Sequence, residues 1–300
     1  MNLNIAKNSL KSDNPEIVIS ALHTLTKNGN LADLPDMIAL IKSARTSIKK
    51  AATECSCQLI KENLLTHFNE LESRVREKLG ILLQSLDPAI VDGIGKDLYC
   101  NNENRRLRAV QILGLLKKNP RVKDVMAKLV QDKDVRIKAT AVNLLGKIIG
   151  PNDHELLLSL LNDDDKRVRA NTIEALEFLG NKRLVAILLR FRKDLNNRIR
   201  GNVLKALYNL GYKEIEPDLI EMLKTNNNFM KASALWVISQ TGISTSSLED
   251  AAGECLLSDD EMVVNNAKKA LKAISTPRAQ GYLHYLQNMN PVLTEKTHPN

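Results

Sequence analysis

Aromatic side chains are scarce: one Trp, five Tyr and four Phe stand among 300 residues. That scarcity argues against sheets built on cross-strand aromatic pairs and leaves little for stacking on nucleic-acid bases. No run approaches the roughly 18 consecutive apolar residues of a membrane-spanning helix, so membrane insertion is not expected. The start, Met1 to Lys7, lacks the charged-then-apolar layout of a secretory signal. Four cysteines, Cys55, Cys57, Cys100 and Cys255, lie inside helical patterns and read as reduced thiols of a packed interior, which makes a cytoplasmic location the expectation. Catalytic signatures are missing too: there is no Gly-rich phosphate loop, no Gly-x-Ser-x-Gly and no His-Glu-x-x-His. His23, His67, His154, His284 and His298 are scattered without metal-ligand spacing. Asp163-Asp164-Asp165 lacks the glycine and distal glutamate of a calcium loop. A non-catalytic chain without cofactor or metal is expected.

What the chain does have is Leu, Ile, Val and Ala in a long-period pattern. Asp163 to Gly180 reads as a polar turn, an amphipathic helix and a glycine stop, and related stretches recur 31 residues on and 31 residues back. Such a period marks a repeat architecture. Aligning on the apolar residue that opens each helix gives Ile17, Ile48, Val75, Leu107, Ile137, Val168, Ile199, Met230 and Val263, with spacings of 31, 27, 32, 30, 31, 31, 31 and 33. Between them lie second apolar runs, so each unit is expected to be an antiparallel helix pair. The short step of 27 points to a distorted repeat around Glu62–Leu71. Segment Leu3–Leu10 opens the first pair, Pro277–Met289 forms a closing helix, and 291–300 is a polar tail. The expectation is an all-α chain, one α-solenoid of about nine pairs over residues 1–290.

Punctuation agrees with this pattern. Asn14, Asn104, Asp134, Asp165, Asn196, Asn227 and Asp260 stand three residues before their openers, where a side-chain oxygen caps free backbone N–H groups. Gly180, Gly211 and Gly242 stand where a left-handed stop is expected. In Asp132 to Ala139, Asp163 to Ala170 and Asp194 to Gly201, an acidic turn precedes Val/Ile-Arg and then Ala or Gly. These stretches resemble HEAT repeats, in particular the HEAT-like repeats named after phycobilisome lyase subunits. The resemblance covers nearly the whole chain and implies the solenoid fold; it implies little about activity, because such solenoids host many.

At about 100° per residue, positions +4, +5, +7, +8 and +11 from each opener share its buried side, while +3, +6 and +10 face away and should line the open, partner-binding row. The site expected there is Leu113, Asn143, Lys147, Asn171, Glu174, Phe178, Asn202, Lys205, Asn209, Ser233, Trp236 and Gln240. Trp236 and Phe178 among amides make an amphipathic patch suited to a protein or peptide. Position +1 carries cations: Lys49, Arg76, Arg108, Lys138, Arg169, Arg200 and Lys231. They read either as a track for an anionic partner or as a structural ladder to the turn carboxylates Asp132, Asp163 and Asp194 of neighbouring repeats. Position +1 lies beside the buried arc, which favours the ladder.

The net charge of +8 is uneven. Residues 101–213 carry 24 basic and 12 acidic side chains, net +12, against 0 over 1–100 and −4 over 214–300. An adaptor holding a protein or peptide, with an acidic segment as the matching chemistry, is the leading expectation. Nucleic acid on the basic central repeats is the rival, since some HEAT-like proteins are DNA glycosylases. An accessory subunit of a bilin lyase follows only from the family name.

Overall fold

The computed structural model describes residues 1–116, 119–150 and 153–289, with side chains as far as 285. Lys117, Lys118, Pro151, His298 and the tail 291–300 lie outside the described residues. Among the described residues, helices α1 to α18 and short 3-10 turns make up the regular structure, and no strand occurs. The chain divides into two compact units, Met1–Leu144 and Leu145 onward.

Unit 1 holds α1 (Leu3–Ser9), α2 (Pro15–Asn28), α3 (Leu34–Ala39), α4 (Thr46–His67), α5 (Ser73–Leu86), α6 (Ile90–Leu98), α7 (Glu103–Leu115), α8 (Pro120–Leu129) and most of α9 (Val135–Leu145). Helix α2 packs on α1 and α4, and α7 packs on α4, α5 and α6. The short 27-residue step has a simple cause. Helix α4 runs for 22 residues without a break, so its last turn, through His67, occupies the start of the chain that would otherwise form a separate first helix over Leu64–Leu71.

Unit 2 holds α10 (Glu155–Leu158), α11 (Lys166–Phe178), α12 (Val185–Leu188), α13 (Asn197–Asn209), α14 (Glu216–Leu223), α15 (Asn228–Thr241), α16 (Ser246–Glu254), α17 (Glu261–Ile274) and α18 (Pro277–Met289). The second helices α11, α13, α15 and α17 pack side by side, and α14, α16 and α18 form the facing row. Helices of this length are marginal alone, so their stability comes from burying one face against neighbours. Gly253 on α16 allows the last step of that row: a Cβ there would stand 2.6 Å from the Tyr282 ring of α18.

Caps set where the second helices from α9 to α17 begin. The side chains of Asp134, Asp165, Asn196, Asn227 and Asp260 accept backbone N–H bonds of 2.7–3.2 Å two or three residues on. Counting from Asp165 as −3, Val168, Thr172, Ile173, Ala175, Leu176 and Leu179 are all buried. The fourth repeat departs from the expected register. Its cap is Asn102, which accepts from Arg105 N–H at 2.9 Å; Asn104 lies inside α7. From Asn102, the positions +4, +5, +7, +8 and +11 fall on Ala109, Val110, Ile112, Leu113 and Leu116, every one fully buried. The opener is thus Arg105 rather than Leu107. A cation stands there because Glu62 and Asp97 meet it, at 2.9 and 2.7 Å.

At the far ends, Gly180, Gly211 and Gly242 have φ of +66°, +105° and +64°, a region closed to most side chains. The Arg167 side chain, its largest influence, and backbone N–H bonds hold the Asp165 carboxyl below its ordinary value. A carboxylate so lowered stabilises the fold above its unfolded pKa and loses that contribution as pH falls through the folded value. Asp165→Ala should therefore cost about 1 kcal/mol at neutral pH, and the gap from the parent should close as pH drops below the 3.8 of an unperturbed aspartate. Urea midpoints at neutral and strongly acid pH check this; an equal gap at both would contradict it.

Candidate partner-binding site

The open face of unit 2 carries a cleft of about 360 Å³ between α13, α15 and α17. That is near the lower end of ligand pockets, roughly 300–1,000 Å³, and suits one or two side chains better than a large ligand. Phe229, Trp236 and Met262 provide its apolar wall, and Asn197, Asn202, Ser233 and Asn266 line it with polar groups. Phe229 is 64% exposed although it belongs to a helix whose other large apolar residues are buried or half-buried.

Neighbouring helices hold this cleft open through side-chain bonds. Asn202 donates to the Ala170 carbonyl at 3.2 Å and to Glu174 at 2.7 Å, which ties α13 to α11. Arg198 reaches Asn171 at 3.0 Å and Glu174 at 3.2 Å. Asn197 donates to Ser233 Oγ at 2.9 Å and ties α13 to α15. Lys205 pairs with Glu177 at 3.0 Å, and its ammonium lies 5.3 Å from the centre of the half-buried Trp236 ring. This contact fixes one face of the indole, in a geometry that attracts a cation to an aromatic ring.

The expected site residues divide. Glu174, Asn202, Ser233 and Trp236 line the cleft. Asn171 and Lys205 support it without lining it. Lys147, Phe178, Asn209 and Gln240 are exposed on unit 2 away from the cleft lining, and Asn143 is half-buried in unit 1. Leu113 is a correction: fully buried, it cannot line an open surface, because the two-residue register shift of α7 turns it inward. Asn202 is also buried, and its amide is spent on α11, so its role is positioning.

Phe229, Met262 and Arg198 were missed. All three stand at position −1, one residue before the opener. At about 100° per residue, −1 falls between +6 and +10, in the middle of the open arc. In unit 2 this column runs Arg167, Arg198, Phe229, Met262. The change from cation to large apolar residue was the available signal.

Two of the expected +1 cations of unit 2, Arg169 and Arg200, make structural contacts, with partners other than the turn carboxylates. Arg169 donates to the carbonyl oxygens of Asp163 and Asp164 in its own turn, at 2.7 and 3.0 Å. Arg200 is buried against α14, its guanidinium 3.0 Å from Glu221 and 3.8 Å from Asp218. Neither reaches a turn carboxylate of a neighbouring repeat. Asp132, Asp163 and Asp194 instead accept the N–H two residues on, at 2.8–2.9 Å, and so shape their turns. In unit 1, Arg76 lies over the Phe68 ring at 4.7 Å and Lys138 is half-buried. With Arg105 as opener, Arg108 falls at +3, over the same ring at 5.8 Å. The +1 place there belongs to Arg106, which pairs with the cap Asp134 of the next repeat at 3.3 Å.

Stacked helix pairs with buried faces at repeating positions define an α-solenoid. The model of HEAT repeats matches residues 92–177 and 154–239, and the chain is a HEAT-repeat protein. A search of the curated proteins returns no match. Among solved structures, Kap121p bound to Ste12p is similar with a TM-score of 0.52 and 14% identity, over 96% of this chain and 39% of that one. The karyopherin Kap121p bound to the SUMO protease Ulp1p gives 0.51 and 15%, with the same coverage. The complex of CpcE and CpcF of phycocyanin lyase from Nostoc sp. gives 0.44 and 15%, over 96% and 95%. This chain thus spans 39% of the karyopherin's length, and at such identities the likeness concerns the fold.

The Arg200 cluster generates a stability prediction. Asp218 is almost fully buried, with Lys193 at 3.0 Å, Arg192 at 3.4 Å and Arg200 around it. Removing one member of a buried charge cluster leaves its partner poorly compensated, at roughly 3–5 kcal/mol. Arg200→Ala should fall at or just below that range, since Arg192 and Lys193 remain. Denaturant unfolding measures it; a loss under about 1 kcal/mol, typical of surface pairs, would contradict the structural role.

Proposed function

We propose that this protein is a non-catalytic scaffold that binds a protein or peptide partner on the second-helix row of unit 2. The observation that carries the reading is the cleft of Phe229, Trp236 and Met262. Large apolar side chains left accessible on a face otherwise polar mark an interaction site more than a packing need. Aromatic anchors surrounded by polar groups also match the composition of binding hot spots. A karyopherin of the same fold has been solved with Ste12p and with Ulp1p, which is in keeping with a protein-binding role.

The basic middle third supports nucleic acid less well than its net charge suggests. Arg105, Arg106, Arg136, Arg167, Arg192, Lys193, Arg198, Arg200 and Lys205 all sit in ion pairs with neighbouring carboxylates. Cations already paired release fewer counterions on meeting a phosphate backbone.

A peptide library displayed on phage and selected on the full-length protein tests the proposal. Selected peptides should bind Phe229→Ala and Trp236→Ala at least about ten-fold more weakly, the loss expected of a hot-spot anchor, with the melting temperature unchanged. Phe178→Ala, outside the cleft, should bind as the parent does. Undiminished binding by both cleft variants would refute this placement.

A further inference from the structure

We propose that a second cleft, at the turn edge of α14, α15 and α16, receives a carboxylate side chain of the partner. The cleft measures about 430 Å³, and Lys224, Lys231, Ala251, Glu254, Leu257 and Ser258 are among its lining residues. Its chemistry emerges from comparison with the preceding repeat. There Arg200, at position +1 of α13, is enclosed by Asp218 and Glu221 of α14. Lys231 is the same position on α15. Aligning the two repeats in sequence on their caps Asn227 and Asp260 pairs the buried Leu219, Met222 and Leu223 of α14 with the buried Ala252 of α16 and Cys255 and Leu256 of the 3-10 turn after it, and so pairs Ala251 with Asp218 and Glu254 with Glu221.

One carboxylate of the pair is therefore replaced by a methyl group, and space is left in front of the cation. Lys231 makes no ion pair or side-chain hydrogen bond among the described residues, and neither does the exposed Lys224. Two ammonium groups against Glu254 leave one positive charge, which matches a carboxylate better than a doubly charged phosphate. Leu257, 69% exposed at the rim, offers apolar contact to the stem of a Glu or Asp side chain. The site itself stands on this geometry; only the source of the carboxylate rests on the partner-binding reading above.

The test uses the full-length protein and a hexaglutamate peptide at low ionic strength, with hexaglutamine as control. Calorimetric titration should show hexaglutamate binding that Lys231→Met weakens roughly five-fold or more, the upper end for a partly exposed charge contact. Ala251→Asp supplies the missing carboxylate from within: it should raise the melting temperature without peptide and weaken hexaglutamate binding by a similar factor. A Lys182→Ala/Arg183→Ala double variant, which removes exposed cations elsewhere on unit 2, should bind within two-fold of the parent. Trp236→Ala should also leave hexaglutamate affinity unchanged, so failure of this site and failure of the aromatic cleft are distinguishable. The proposal is overturned if Lys231→Met and Ala251→Asp bind as the parent does, or if the control double variant loses as much as they do. Acetate binding as tight as hexaglutamate binding in the same titration, at matched ionic strength, would overturn the assignment to a partner's side chain.

Discussion

A side-chain hydrogen bond at the start of each second helix of unit 2 governs the register of that whole helix. Once Asp165 or Asn196 accepts a backbone N–H at its helix start, the first helical residue is placed, and about 100° per residue settles which side chains turn inward. The turn aspartates Asp163 and Asp194 set the approach by binding the N–H of the cap residue itself. Small residues then let neighbouring helices close: at Gly201 a Cβ would already touch Ser233 at 3.4 Å. Cap, register and close packing are thus one chain of cause, repeated through unit 2.

The same chain of cause explains what could be read from the residues beforehand. Helix class, the buried positions of α11, α13 and α15, and the glycine stops all derive from local chemistry that recurs every repeat. The reading failed at α7, where Arg105 holds the opening position and Leu107 looked like the better candidate. Periodicity could not arbitrate, because moving the opener by two residues only exchanges spacings of 32 and 30 for 30 and 32. The deciding fact is tertiary: Glu62 and Asp97 come from other helices to neutralise the arginine. Placing Leu113 on the open face was the direct consequence of that slip.

The candidate site was less legible, and the reason is physical. Repeat packing constrains the inward face and leaves the open face free, so nothing in the period says which open residues act together. Trp236 was conspicuous as the lone tryptophan, whereas Phe229 and Met262 sit at a position counted with the helix start. The +1 cations show the converse. Arg169 and Arg200 occupy one column yet meet carbonyl oxygens in one repeat and the carboxylates of α14 in the next. A column in sequence identifies a place in the repeat, and the facing helix decides its chemistry.

On the proposed reading the open face of unit 2 receives a partner, with the Trp236 ring beside Lys205 on one side and lining the cleft on the other. Acrylamide quenching of the single tryptophan in the isolated protein tests this most directly. The account predicts an emission maximum intermediate between buried and solvated indole, with quenching well above that of an enclosed tryptophan. A strongly blue-shifted emission that resists acrylamide would mean that the cleft is closed in solution, and would contradict the assignment of this face as the binding site.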